Sequence, residues 1–555
     1  MFLHKFKVLS VTIDTEYKES GESMLQVSNV SVLFPDKKLF DEVNLVFNEG
    51  NCYGIIGANG AGKSTFLKIL SGEKEPTTGH VSMGKDQRLS KLNQDHYAFE
   101  EEMVIDTVIR GNQELFDIMK EKDAIYMKED FSDEDGIRAG ELEALFAEMN
   151  GYEAESEASL LLQGLGIGTE QHNLYMKDLI ESDKVKVLLA QALFGNPDVL
   201  LLDEPTNGLD VKAVLWLQDF LSTFEGVVII VSHDRYFLNE VCTHMVDIDF
   251  GKINMVTGNY DFWYESSQLA LKLLKEQNKK KEEKVKELQD FIQRFSANKS
   301  KSKQATSRKK LLDKIDIEEI RPSSRRYPFV GFNLSREVGN EILTIENLSS
   351  NGENGKLIDN LSLRVNKGDK IGFIGNELAI TKLFEILMGK TDDYEGSFKW
   401  GQTITTSYFP KDNNAFFEGV DKTLIDWLRQ YSEDQSEIVM RGLLGKMLFS
   451  GDEALKKANV LSGGERVRMM FSKMMIDPVN VLIFDQPTNH LDLESIEAVN
   501  NGLINFKSNL LFTSLDHQFV SSVANRIVEF FPDGSYRDVS MSYEEYIEKF
   551  IATEE

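Results

Sequence analysis

The chain has 555 residues, with 62 Lys and Arg against 91 Asp and Glu and a formal charge of −29. Three or four folded units are expected at about 150 residues each, and a 41% hydrophobic share excludes wholesale disorder. Cys52 and Cys242, its two cysteines, exclude a structural zinc site. No apolar run approaches the roughly 18 residues of a membrane span, and the acidic balance argues against nucleic-acid binding by the chain as a whole.

Residues 1–23 read as an N-terminal extension, either genuine or the product of an upstream start codon, and as a poor signal peptide because charges interrupt the apolar run, in keeping with a reduced, cytoplasmic setting. MLQVSNVSVLF then reads as a domain start at Met24. NCYGIIG is strand-like, and GANGAGKST, Gly57 to Thr65, follows it and opens a helix. Glycines at that junction let backbone N–H groups wrap a phosphate. Lys63 then reaches the β and γ oxygens of a nucleoside triphosphate, and the Ser64 hydroxyl binds Mg²⁺. Gly57, Asn59, Gly60, Gly62, Lys63, Ser64 and Thr65 are therefore candidate ligands of the triphosphate. A stretch at about 112–158 is rich in helix formers and predicts an inserted helical arm, or a plain surface elaboration. VLLLDEP predicts a buried strand ending in two carboxylates. Asp203 is placed to hold Mg²⁺ through water, and Glu204 to act as general base on the attacking water. Alone, the pair would also suit an acidic strand-end cap. VVIIVSHDR predicts another buried strand, with His233 placed 30 residues after Asp203 for a γ-phosphate contact.

Residues 261–328 predict a helical hairpin, with Val285, Leu288, Ile292 and Phe295 forming an apolar stripe. From Leu269 to Val330 there are 18 Lys and Arg against 9 Asp and Glu, so the remaining chain carries −38. The excess concentrates at the tip, in Lys299, Lys301, Lys303, Arg308, Lys309 and Lys310. This is either a phosphate-contacting surface or a solvated basic coiled coil.

The rest repeats the first part. VLLLDEPTNGLD recurs as VLIFDQPTNHLD, and the pairs Leu179/Leu461, Asp203/Asp485 and His233/Leu515 share one offset of 282 residues. Strand and helix patterns alternate in both copies, which predicts two tandem α/β domains on largely parallel sheets, residues 24–260 and 329–555. The second copy departs from the first at its chemistry. Its loop reads GNELAITKLF, with Glu377, Ala379, Ile380 and Thr381 opposite Gly60, Gly62, Lys63 and Ser64. Lys382 falls one position late and is usable only by a register slip. Lys411, Gln486 and Leu515 stand opposite Gln94, Glu204 and His233.

The order of phosphate loop, LSGGE, DEP and SHD resembles the ATP-binding cassette family. The resemblance implies twin P-loop cassettes paired head to tail, with ATP and Mg²⁺ bound between them. It further implies that Phe34 stacks on adenine, that Gln94 touches Mg²⁺ and water, and that Asp210 acts across the cassette pair. Each site then joins one copy's phosphate loop to the other's LSGGE. Ser462, Gly463, Gly464 and Glu465 complete the first copy's site. The first copy's own equivalent is LIESD, Leu179–Asp183, which lacks the glycines, so every loss falls on one composite site. Two cassettes, a basic helical linker and an arm together resemble ABC-F proteins, most nearly the YbiT/YkpA-like bacterial branch. That implies a soluble ATPase with one intact site, monomeric with an intramolecular cassette pair. It also implies that the linker binds the ribosome near its tRNA exit site, touching rRNA and possibly tRNA. A non-catalytic ribosome-binding role, or service as a transporter's ATPase subunit, remain alternatives at this stage.

Overall fold

A computed structural model describes residues 25–34, 38–85, 87–95, 97–295, 307, 311–312, 325–352 and 355–551. The N-terminal extension and all six basic residues of the predicted tip lie outside these. The two copies fold alike. In each, a six-stranded sheet has five parallel strands and one antiparallel edge strand. The first runs, in spatial order, Leu89–Lys91, Val199–Asp203, Val227–Val231, Asn51–Gly57, His244–Asp249 and Lys252–Thr257. The second runs Thr406–Phe409, Val481–Asp485, Asn509–Thr513, Lys370–Gly375, Arg526–Phe530 and Tyr536–Val539. Val199–Leu202 and Val227–Val231 are apolar throughout and buried, as strands covered on both faces require. A three-stranded antiparallel sheet accompanies each: Leu25–Leu33 between Lys38–Phe47 and Thr78–Met83, and Leu343–Gly352 between Gly355–Val365 and Glu395–Trp400.

In parallel sheets of this kind, ligands meet the carboxyl ends of the strands. Gly57, Asp203 and Val231 end three neighbouring strands, so the phosphate loop, the carboxylate pair and the SHD segment emerge side by side.

The arm is a helical pair, Gln113–Tyr126 and Asp133–Glu148. Asn112 caps the first helix, and a Ser132–Asp135 capping box starts the second. The next helix, Ala154–Gly164, buries Ala158, Leu161 and Leu162 in the same core that receives Leu115, Phe116 and Leu142 of the pair. At the same point the second cassette passes from helix Leu424–Arg429 to helix Glu437–Lys446 through a short loop.

The linker begins with one helix, Tyr260–Phe295, of 36 residues. At 1.5 Å per residue it is about 54 Å long. No described helix is long and apolar enough to cross a membrane.

Candidate active site

One cleft of about 1110 Å³ gathers most of the predicted residues, though not Gly57 or Phe34. Its walls include Asn59, Gly60, Gly62, Lys63, Ser64, Thr65, Gln94, Asp203, Glu204 and His233 from the first cassette, and Ser462, Gly463, Gly464 and Glu465 from the second. The phosphate loop of one copy thus faces the LSGGE of the other.

Helix Lys63–Leu70 starts from Gly62, whose φ of 110° is in the left-handed region and which offers no side-chain cap. Its first N–H groups are left for an anion. Lys63 is buried, and its ammonium donates to the carbonyl of Gly57 at 2.7 Å. Burial lowers its pKa, against the pull of Glu204, Glu494, Asp492 and Asp203. Gln94 donates from Nε2 to Asp203 at 3.0 Å.

Glu204 has a φ of 53°, a left-handed conformation uncommon outside glycine, asparagine and aspartate. Its Oε2 accepts from the backbone N–H of His233 at 3.2 Å. His233 Nε2 lies 3.4 Å from Glu204 Oε1, without the alignment of a hydrogen bond. Glu204 Oε1 and His233 Nδ1 are buried and make no hydrogen bond. Glu204 and His233 both line the cleft, and buried polar atoms left without partners there suit a ligand or water. Burial pushes Glu204 up to about 8, although the His233 N–H opposes it. Burial also pulls His233 down to about 4, which keeps its ring neutral near pH 7. If Glu204 is the base it must be ionised, so protonation below about pH 8 removes activity. The expected result is a kcat/KM for ATP that rises about tenfold per pH unit up to that point. A pH–rate profile with no acidic limb between pH 6 and 8 would contradict this.

Across the cleft, Ser462 caps helix Gly463–Met474 in a capping box with Glu465. Glu465 Oε2 accepts from both the N–H and the hydroxyl of Ser462 at 3.0 Å, and its Oε1 holds Lys456 at 2.9 Å. Both glycines are packed against His490. A Cβ on Gly464 would come within 2.7 Å of the His490 carbonyl oxygen.

The second cassette's loop satisfies itself. Asn376 Oδ1 accepts from the N–H groups of Leu378 and Ala379, at 3.1 and 3.3 Å, so the helix end is already capped. Thr381 donates to Asp485 at 2.8 Å, which joins the counterparts of Ser64 and Asp203. Lys411 pairs with Glu377 at 2.5 Å. Ile380 is buried in the core. The register slip for Lys382 finds no support: its ammonium pairs with Asp393 at 3.1 Å. In LIESD, Glu181 and Asp183 place two carboxylates in the first turn of helix Glu181–Leu193. They occupy the end that would otherwise attract phosphate.

Two carried-over residues stand elsewhere. Phe34 is not among the walls of the cleft; it is half exposed, with the Lys74 ammonium 4.8 Å from its ring centre. Asp210 caps helix Val211–Ser222 and pairs with Lys186 at 2.6 Å. Asn489, His490, Leu491 and Asp492, outside the residues expected from the motifs, also line the cleft from the second cassette. A signal was available. PTN-x-LD is kept in both copies while the residues around it diverge.

Comparison with known proteins identifies the family. A family model described as ABC transporter matches residues 40–207 and 358–489. The chain is 62% identical to the uncharacterized ABC transporter ATP-binding protein YkpA of Bacillus subtilis, over 95% of this chain and 97% of that one. It is 45% identical to the probable ATP-binding protein YbiT of Escherichia coli O157:H7, over 94% and 99%. A solved structure of the archaeal ribosome recycling factor aABCE1, in complex with the ribosomal stalk protein aP1, shares the fold. Its TM-score is 0.61 and its identity 17%, over 94% of this chain and 92% of that one. With tandem cassettes, a shared cleft and these relatives, the chain belongs to the ABC-F family of ATP-binding cassette ATPases.

Proposed function

We propose that this chain is a cytoplasmic ABC-F ATPase that hydrolyses ATP at a single composite site and modulates translation by binding the ribosome through its linker. The observation that carries the catalytic half is the cleft in which Lys63, Asp203, Glu204 and His233 face Ser462, Gly463 and Gly464. In this reading, the loop N–H groups and Lys63 hold the β and γ phosphates, and Phe34 offers its exposed face to adenine. Ser64, Gln94 and Asp203 would hold Mg²⁺, which when bound neutralises charge on the phosphate oxygens. Glu204 takes a proton from the attacking water, and His233 faces the γ-phosphate. Ser462 and the two glycine amides hold that phosphate from the second cassette. The γ-phosphate is then a bridge between cassettes, and hydrolysis removes it. Closure and opening follow from that difference in binding. The capped loop, the Thr381–Asp485 bond and the Glu377–Lys411 pair support a second site without nucleotide.

The ribosomal half rests on ABC-F membership and on the charge of the linker tip. Six cations within twelve residues of sequence suit an RNA phosphate surface by salt-sensitive, sequence-independent contacts. The test is co-sedimentation with ribosomes, using the Glu204→Gln chain and ATP. Pelleting is expected at low salt. Replacing Lys299, Lys301, Lys303, Arg308, Lys309 and Lys310 by glutamine should weaken it and flatten its salt dependence. Failure of the Glu204→Gln chain to pellet would remove the ribosomal reading. Equal pelleting of the six-fold variant would move the contact away from the tip.

A further inference from the structure

Arg325, where the linker returns to the cassettes, is 11% exposed and meets three carboxylates. It lies 2.5 Å from Asp247, 3.6 Å from Asp249 and 3.0 Å from Glu494. Its guanidinium also stands over the Trp263 ring at 4.7 Å. These partners come from three bodies. Asp247 and Asp249 lie on a strand of the first cassette, and Trp263 is in the first turn of the linker helix. Glu494 is in the first turn of helix Leu493–Asn505 of the second cassette. The N-cap of that helix is Asp492, a wall of the ATP cleft.

A second arginine holds the same turn. Arg235, two residues after His233, donates to the Leu493 carbonyl at 3.3 Å and to Glu497 at 3.0 Å. Tyr264, also at the linker root, donates to Glu497 at 3.5 Å. One helical turn of the second cassette therefore carries a wall of the cleft and touches both ends of the linker.

We propose that Arg325 is a positioning residue that ties closure of the ATP cleft to the seating of the linker root. Asp247, Asp249 and Trp263 keep Arg325 with the first cassette and the linker. Glu494 is the partner that arrives and leaves with the second cassette. The three acids are at most 17% exposed, and one guanidinium serves them all. With Arg325 displaced, like charges push the Glu494 turn away and carry Asp492 with it. The coupling is reciprocal, so a pull on the linker root lowers ATP turnover, and ATP in the cleft orders the root.

This inference rests on the reading that the cleft binds and hydrolyses ATP, and its test separates the two. In the full chain, Glu494→Gln removes only the charge pairing of Arg325 with the second cassette and relieves the crowded acids, so it folds even if Arg325→Met does not. Each substitution is expected to lower kcat/KM for ATP about tenfold. The double variant should be no worse than Arg325→Met alone, because the Arg325–Glu494 contact is already lost there. Spin labels at exposed Leu271 on the linker helix and exposed Ile438 on the second cassette report the geometry in a Glu204→Gln background. ATP should narrow their distance distribution in that parent but not in the Glu494→Gln form. Normal turnover and an unchanged ATP response in Glu494→Gln would overturn the proposal alone, as would effects that simply multiply in the double variant. A parent chain that neither binds nor hydrolyses ATP would overturn the proposal and the reading beneath it together.

Discussion

Glu204→Gln should lower ATP turnover by about 10²–10⁴-fold while one ATP per chain stays bound. The substitution is nearly isosteric, and the protein itself demonstrates that the backbone accepts it. Gln486, at the matching position of the second copy, has the same φ of 53°. Glutamine at 204 can still accept from the His233 N–H, so the local turn survives. It cannot take a proton. Since Glu204 is pushed up to about 8, the free site near pH 7 already carries a neutral carboxyl, and glutamine changes its charge little. ATP affinity is therefore expected to hold. Phosphate release over a single turnover and the nucleotide retained on a filter check the two parts separately. Near-normal release would rule out Glu204 as the base. Two ATP retained per chain would rule out the empty second site.

Gly464→Val should lower turnover about 10²-fold and leave ATP on the first cassette's loop. The new Cβ would start 2.7 Å from the His490 carbonyl oxygen, a backbone atom that cannot swing aside. Either the helix Gly463–Met474 or the Asn489–Asp492 segment must shift, and both line the cleft. A displacement of about 1 Å costs on the order of 10² in rate. The first copy provides the control. Its matching residue is Ser182, in a loop without the glycines, and Ser182→Ala should leave turnover unchanged. Equal losses from both substitutions would contradict a single working site. Kinetics with labelled ATP, run on folded chains verified by circular dichroism, decide between them.

Much of the site was legible before any coordinates. GANGAGKST, VLLLDEP and SHD each sit at a strand end, so buried apolar runs fixed where their polar ends emerge. The repeat allowed losses in one copy to be read against the other. What stayed hidden depends on contacts between distant segments. Lys411 read only as a substitute for Gln94, although its charge answers Glu377 34 residues away. Asn376 read as part of a damaged loop, yet it acts as a helix cap, a local bond that replaces the missing anion. Asp492 and Arg325 gain meaning only when the cassettes face each other.

The linker helix has a mechanical consequence. It is a continuous rod of 36 residues, held near one end by Tyr260, Trp263 and Tyr264. Over a length of about 54 Å, a 10° tilt at the root sweeps the far end through about 9 Å. Sub-ångström to ångström adjustments beside the ATP cleft are thereby magnified into displacements wider than a nucleotide's stacking distance. The stiffness of the rod then sets how much force the cleft can deliver at its tip.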